Sequence, residues 1–182
     1  MPTGPPTGQG TPPVPDATGL ELTAHELRDR NAESILDTDF AHGRATLIAD
    51  PAHITDVLAG LQDKGYTFLA SVHGVDYYPD EPRLGVIYEL LDMTNVDRIS
   101  VKARVHTDSP HIATCTELFP SADFQERETY DMFGVVFEGH PDLRRILMPE
   151  DFTGFPQRRD FPIGGEPVLY TFNEGKYPRW YD

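Results

Sequence analysis

The chain has 182 residues, a length that suits one domain with its own core. Its formal net charge of −15 argues against binding to nucleic acid, which needs clustered Lys and Arg, and against direct anchoring on an anionic membrane surface. The single cysteine, Cys115, excludes an intramolecular disulfide and a four-thiolate iron–sulfur or zinc site, and we expect it to be a small buried residue.

The N-terminal segment is rich in Pro, Gly and Thr and contains almost no large apolar side chain. Such a composition cannot bury enough surface to offset its ordering entropy, so we expect residues 1–19 to form a disordered tail. No apolar run reaches the roughly 20 residues that span a bilayer, and no signal peptide is recognisable. We therefore expect a cytoplasmic chain that meets a membrane only through partners.

Residues 20–134 are expected to form the core domain. Three leucines between positions 20 and 27 indicate a short helix, and Arg44–Ala49 has the composition of a strand. Asp50-Pro51 is a good helix start, because it combines an acidic cap with proline at the first helical position. Apolar residues then recur at helical spacing until Gly65 ends the run: Ile54, Val57, Leu58 and Leu61.

Three β-rich runs follow, over residues 66–78, 84–91 and 99–105. Breaker residues separate them at 79–82 and 94–95. We expect the acidic run at 76–81 to be a solvated turn, with weak cation binding as the alternative. Connections this short imply an antiparallel meander. The fold prediction is an α+β two-layer sandwich, with helices on one face of a mixed, mainly antiparallel sheet.

Two helices are predicted next, over residues 110–118 and 122–133, the second capped by Ser121 and stopped by Gly134. Glu126 falls in the middle of the inward stripe of the second helix. Because a buried carboxylate needs compensating partners, we expect an arginine to hold it. The candidates come from two pairs that the following loop can fold back: Arg144-Arg145 and Arg158-Arg159. We expect Arg127 to make ordinary helix pairs with Asp123 and Asp131.

Regularity fades after Gly134, where Gly and Pro punctuate the chain while large apolar residues persist. Such a segment is uncommon in a compact domain unless it is functional or disordered, and its apolar residues argue against disorder. We expect residues 135–182 to form an irregular partner-docking loop and C-terminal tail. The aromatic and Arg content of residues 168–181 is favoured in interfaces, with an edge strand and frayed end as the alternative.

A hydrolytic site is the competing interpretation of the acidic cluster. Five side chains could supply general acid and base groups: Glu126, Glu128, Asp131, His140 and Asp142. No nucleophile elbow, tight metal-ligand spacing or Gly-rich phosphate loop accompanies them. We therefore expect no catalytic, cofactor-binding or metal-binding residue in this chain.

The string SADFQERETYDMFG from Ser121 to Gly134 resembles the signature of the C-type subunit of proton-pumping NADH–quinone oxidoreductase, respiratory complex I. Its continuation FEGHPDLRRILMPED from Phe137 and the RRDFP string from Arg158 resemble the same family. Earlier parts of the chain, including GVDY at 74–77, are also similar, whereas the proline-rich tail is not. Two positions depart from many relatives, which have His and Leu there: Phe155 and Gln157.

The resemblance implies a cofactor-free structural subunit of the hydrophilic arm, peripheral on the cytoplasmic face of the cell membrane. It implies a hetero-oligomer with partners of the D and B type, while FMN and iron–sulfur clusters reside on partner subunits. The assembly would pass electrons from NADH to a quinone and translocate protons; a membrane-bound hydrogenase or NDH-type complex is the alternative. The signature and partner-docking positions are Glu126, Arg127, Glu128, Tyr130, Asp131, Gly134, Gly139, His140, Pro141, Asp142, Arg144, Arg145, Arg158, Arg159 and Asp160.

Overall fold

The structure of the protein, a computed structural model, describes residues 17–162. Helix α1 spans Ala17–Arg30 and so begins three residues inside the segment that was predicted as a tail. The rest of that segment, and the aromatic stretch at 168–181, lie outside the described residues.

A five-stranded mixed sheet forms the centre of the fold, which confirms the predicted α+β class. The strands lie in the order β1-β2-β5-β4-β3, and every neighbouring pair is antiparallel except β2 with β5. Their bounds are Ile35–Ala41 for β1, Arg44–Ala49 for β2, Phe68–Asp76 for β3, Leu84–Asp92 for β4 and Asp97–Val105 for β5. The predicted meander is β3-β4-β5.

Strand β1 was not predicted. It joins β2 through a two-residue turn in which His42 and Gly43 both have positive φ, 55° and 71°. Backbone twist of this kind suits a tight hairpin. Acidic residues alternate along the exposed side of this edge strand. The sequence of the strand therefore lacks the run of apolar residues that would predict it.

Helix α2, Ile54–Asp63, follows a short 3-10 turn at Pro51–His53 and confirms the predicted helix start. Oδ1 of Asp50 accepts the N–H of Ala52 at 2.8 Å, as a cap residue should. The apolar stripe of α2 is fully buried.

One face of the sheet carries the core. The register places Val101 beside both Leu47 and Tyr88, and all three side chains are fully buried. Helix α3, Ala122–Phe133, crosses β3 at Gly74, where a Cβ would lie 2.3 Å from Cδ2 of Phe133. Glycine at that position therefore sets how closely α3 approaches the sheet.

The helix predicted over residues 110–118 is wrong. Strand β6, His111–Ala113, forms there instead and pairs in parallel with β7, Val136–Glu138. The N–H of Thr114 continues this pairing by donating to the carbonyl of Glu138 at 2.9 Å. Long-range pairing overrides the local helical tendency at this point.

The boundaries predicted for α3 are confirmed, but its N-terminal cap is not. Ser121 has helical φ and ψ, −66° and −14°, and makes no side-chain cap bond, which needs an extended conformation. Gly134 closes the helix with φ of 74°, and its N–H donates to the carbonyl of Tyr130 at 2.8 Å.

Candidate partner-docking site

The extension, defined as residues 135–162, folds back over α3 and the sheet. Its first part is core, since Val135 and Phe137 are 0% and 2% exposed. The remainder is irregular, and four anchors fix its path.

The first anchor is Asp131, near the C-terminal end of α3, whose side chain is completely buried. Oδ1 accepts Nη1 of Arg145 at 2.6 Å. Oδ2 accepts three successive backbone N–H groups, from Ile146, Leu147 and Met148, at 3.0, 2.7 and 2.8 Å. Burial alone would raise the pKa of Asp131, but these N–H donors and the arginine hold it below its usual range.

Two of the residues that bind Asp131 through their backbone N–H groups have exposed apolar side chains. Ile146 and Leu147 are 37% and 55% exposed, although their backbone is bound to a buried carboxylate. Phe124 on α3 is 63% exposed, and these three residues are called the apolar surface below. Arg127 links its two halves, because Nε donates to the carbonyl of Arg144 at 3.3 Å and the guanidinium lies 5.7 Å from the Phe124 ring.

Arg127 therefore does not make the predicted helix pairs, since no ion pair joins it to Asp123 or Asp131 among the described contacts. Arg144 is largely exposed at the edge of the apolar surface, where Nε donates to Oδ2 of Asp142 at 2.9 Å. An arginine beside exposed aromatic and aliphatic side chains is a composition typical of interfaces.

The second anchor joins the extension to the sheet through Asp76 at the end of β3. Its two carboxylate oxygens accept Nε and Nη2 of Arg83 at 2.7 and 2.6 Å, and Oδ2 also accepts the N–H of Arg159 at 2.7 Å. Nη1 of Arg83 donates to Asp160 at 2.7 Å. The hydrogen bonds from Arg83 hold the pKa of both carboxyls below the usual range.

The acidic turn that contains Asp76 was expected to be solvated. That prediction is wrong for Asp76, which is buried, because the turn brings Arg83 back onto it. Neither residue was identified from the sequence as part of the site. The signal that could have found them is the seven-residue spacing of an acid and an arginine across a tight turn.

The third anchor lies at Gly134, where the chain leaves α3. Phe155 lies against this glycine, and a Cβ on Gly134 would be 2.5 Å from Cε2 of the ring. Tyr130 meets the same ring edge-on at a centroid distance of 6.5 Å, and the Arg158 guanidinium lies 4.6 Å from its centroid. Nε of Arg158 donates to the carbonyl of Phe133 at 2.6 Å.

Both positions that depart from many relatives thus have defined contacts. Phe155 packs on the helix end, and the N–H of Gln157 donates to the carbonyl of Met132 at 3.2 Å. Gln157 also lines a cavity of about 90 Å³ between α3 and β3, together with exposed Glu128 and His73.

The fourth anchor is His140, which follows Gly139, a residue with φ of 84°. The imidazole is completely buried, and Nε2 lies 3.2 Å from the carbonyl of Asp123. Nδ1 accepts the N–H of Asp142 at 3.0 Å across exposed Pro141. These two bonds place the ring proton on Nε2.

Glu126 is buried as predicted, at 0% exposure, but the arginine expected to hold it is not there. Oε2 accepts the hydroxyl of Thr114 at 2.5 Å, and Oε1 accepts the N–H of Cys115 at 2.8 Å. Burial raises the pKa of Glu126. The part of the extension next to Glu126 supplies His140, and Arg145 pairs instead with Asp131, further along α3.

The hydrolytic interpretation does not fit this geometry. Glu126 and Asp131 are enclosed and their oxygens are occupied by fold-internal donors, so neither reaches an external substrate. Between residues 17 and 162, no group of three or more His, Cys, Asp or Glu side chains is arranged to hold a metal ion. None of the helices in that range has the length and apolarity needed to cross a bilayer.

Comparison with known proteins gives a consistent result. A family model described as the 30 kDa subunit of respiratory-chain NADH dehydrogenase matches residues 47–167. The C-type subunit of NADH-quinone oxidoreductase from Saccharopolyspora erythraea is 46% identical over 158 residues, or 85% of this chain and 63% of that protein. The chain thus spans less than two thirds of the length of that relative.

Two further matches cover almost the whole of the related chain. The C-type subunit of NADH-quinone oxidoreductase from Roseiflexus sp. (strain RS-1) is 42% identical over 88% of this chain and 92% of its own. A solved structure, a trypsin-resistant fragment of Nqo5 comprising its residues 1–134, is similar with a TM-score of 0.60 and 34% identity. That match covers 68% of this chain and 98% of the fragment.

Proposed function

Because the chain belongs to the family of the 30 kDa subunit of respiratory-chain NADH dehydrogenase, we propose that it is a structural subunit of an NADH–quinone oxidoreductase. The observation that carries this proposal is the anchoring of the apolar surface. Asp131 binds three successive N–H groups, so Ile146 and Leu147 are held outward before any partner arrives. A preorganised surface loses less conformational entropy on binding than a flexible loop does.

We infer that the subunit works without a cofactor of its own. Its cysteine is 1% exposed and lies in the core beside Glu126, where burial raises the pKa of the thiol and disfavours the thiolate that a metal needs. The proposed role is to support partners that carry FMN and iron–sulfur clusters and pass electrons from NADH to a quinone. In this proposal the coupling to proton translocation belongs to the assembly.

We further propose partners of the D and B type, on the cytoplasmic face of the membrane. The apolar surface and Arg144 form the contact in this proposal. The alternative of a related complex with another electron donor differs in its partners rather than in this surface.

The test is purification of the full-length tagged chain from membranes of its own host under mild conditions. We expect it to co-elute with flavin- and iron–sulfur-containing subunits and with NADH–quinone reductase activity. Co-elution with hydrogenase activity instead would indicate a related complex with a different electron donor. A monomer without partners would contradict the structural role. A tagged Leu22→Ser chain is a suitable control, since it alters an exposed leucine on α1, away from the apolar surface.

A further inference from the structure

Glu126 differs from the other buried carboxylates of the described chain. Asp76 and Asp131 each bind an arginine as well as backbone N–H groups. Asp92 accepts three N–H donors, from Thr94 and Asn95. Glu126 has one N–H, one hydroxyl and the Cys115 thiol as donors, and no arginine or lysine. An enclosed carboxylate with so little compensation is costly in its ionised form.

The groups around Glu126 come from several elements, and no arginine or lysine is among them. From β4 comes the hydroxyl of Tyr88, which is completely buried and has no hydrogen-bond partner. Burial raises the pKa of Tyr88, and the charges of Cys115 and Glu126 raise it further. Thr114 and Cys115 approach from the segment after β6.

His140 approaches from the segment after β7, with Nε2 3.9 Å from Oε2 of Glu126. Its Nδ1 accepts the N–H of Asp142, so the ring proton lies on Nε2, the nitrogen nearer Glu126. On the same helix as Glu126, Oδ1 of Asp123 is buried without a hydrogen-bond partner, 3.6 Å from Nε2 of His140. A further negative group, rather than a positive one, therefore lies on this side of Glu126.

We propose that Glu126 is an internal proton-binding site, at which a proton from solvent converts the enclosed carboxylate into a neutral carboxyl group. The gained O–H is a donor in a cluster that holds the unpartnered hydroxyl of Tyr88. Uptake removes a charge that no arginine or lysine offsets, and it leaves the ring of His140 bound to Asp142. The site joins the segment after β6, α3 and the start of the extension, so its protonation stabilises the contact among them.

The sign of the pH dependence follows from the direction of the shift. A carboxyl whose pKa is higher in the folded than in the unfolded chain stabilises the fold at low pH. That contribution is lost as pH rises from the unfolded value, about 4.3 for Glu, through the folded value. The unfolding equilibrium constant then rises by up to about tenfold per pH unit in that window.

The first experiment compares urea unfolding of the full-length chain from about pH 4 to about pH 9 with that of Glu126→Gln, which removes the titration but keeps the shape. We expect the ratio of the wild-type to the variant unfolding constant to grow with pH. Glu128→Gln, an exposed change of equal charge on the same helix, should follow the wild type. A constant ratio for Glu126→Gln, or loss of the dependence in His140→Gln alone, would overturn the proposal.

A second measurement uses only the wild-type chain, so it does not depend on whether a variant folds. Carbon-13 NMR of the full-length chain labelled at glutamate side-chain carboxyls should show one resonance that titrates at distinctly higher pH than the rest. If every glutamate carboxyl titrates together with the exposed ones, Glu126 does not bind a proton in this way.

Discussion

Leu147 donates its backbone N–H to Oδ2 of Asp131 at 2.7 Å while its side chain remains largely exposed. The same carboxylate oxygen accepts the N–H groups of the residues on either side. The buried carboxylate of Asp131, on α3, thus fixes the backbone of residues 146–148, which lie outside that helix. We infer that the irregular extension is held as firmly as a regular element where it presents the apolar surface.

Replacing Asp131 should test this anchor. Asp131→Asn keeps the shape but removes the charge that binds Arg145 and turns an NH₂ group toward backbone donors. We expect a loss of about 2–4 kcal/mol in the free energy of unfolding, because a largely buried arginine and N–H groups lose their acceptor. Chemical denaturation measures the loss, and hydrogen exchange should be faster at the amides of residues 146–148.

Asp142→Asn provides the matched control, since Asp142 forms a largely exposed ion pair with Arg144. It should cost less than about 1 kcal/mol. Equal losses for the two variants would show that Asp131 is no more important than a surface acid.

The apolar surface should matter for assembly and not for folding. Leu147→Ser removes an exposed side chain, so we expect a change of less than about 0.5 kcal/mol in the stability of the free chain. Recovery of the assembled complex should fall, because the contact loses buried apolar area. Leu22→Ser changes a similarly exposed leucine on α1 and should leave recovery intact; quantitative mass spectrometry of the purified complex distinguishes the two.

Asp76 and Arg83 predict a specific acid response. Hydrogen bonds from Arg83 lower the pKa of Asp76, so this carboxyl stabilises the fold above the unfolded value of about 3.9. That stabilisation is lost as pH falls from there through the lower folded value. Asp76→Asn should therefore be less stable than the wild type at neutral pH, and the difference should shrink in acid. A difference in unfolding free energy that is independent of pH would contradict the pairing.

Two glycines with similar φ angles allow the cost of a left-handed backbone to be compared with the cost of disturbed packing. Gly43 and Gly134 have φ of 71° and 74°, but a Cβ meets nothing within 4 Å at the first and the Phe155 ring at the second. Gly43→Ala should cost about 1–2 kcal/mol for the left-handed backbone. Gly134→Ala should cost about 1–3 kcal/mol more, because the ring and the extension must shift. Equal costs in thermal or chemical denaturation would show that Phe155 does not pack tightly there.

The sequence predicted the parts of the fold that depend on local patterns. Helix α2 follows from an acidic cap and a helical stripe, and the meander follows from three β-rich runs with short turns. Strand β6 could not be predicted, because three residues become a strand only by pairing with β7 more than twenty positions later. Strand β1 was missed because its exposed acidic residues hide the alternation.

The site was predictable in composition but not in pairing. The sequence indicated that a buried acid of α3 meets an arginine of the extension, yet it assigned that arginine to Glu126 rather than to Asp131. An irregular segment has no repeating pattern of side chains, so the sequence does not indicate which of its residues will meet a given residue of α3. Only the folded chain determines which carboxylate Arg145 reaches. The outward position of Leu147 follows from the same contact and was equally hidden.

Hydroxyl-radical footprinting of the full-length chain, free and in the purified complex, is the most direct test of partner docking at the apolar surface. We predict that Phe124 and Leu147 are oxidised in the free chain and become protected on assembly, while exposed Leu22 stays reactive in both. Unchanged reactivity of Phe124 and Leu147 in the complex would show that partners bind elsewhere.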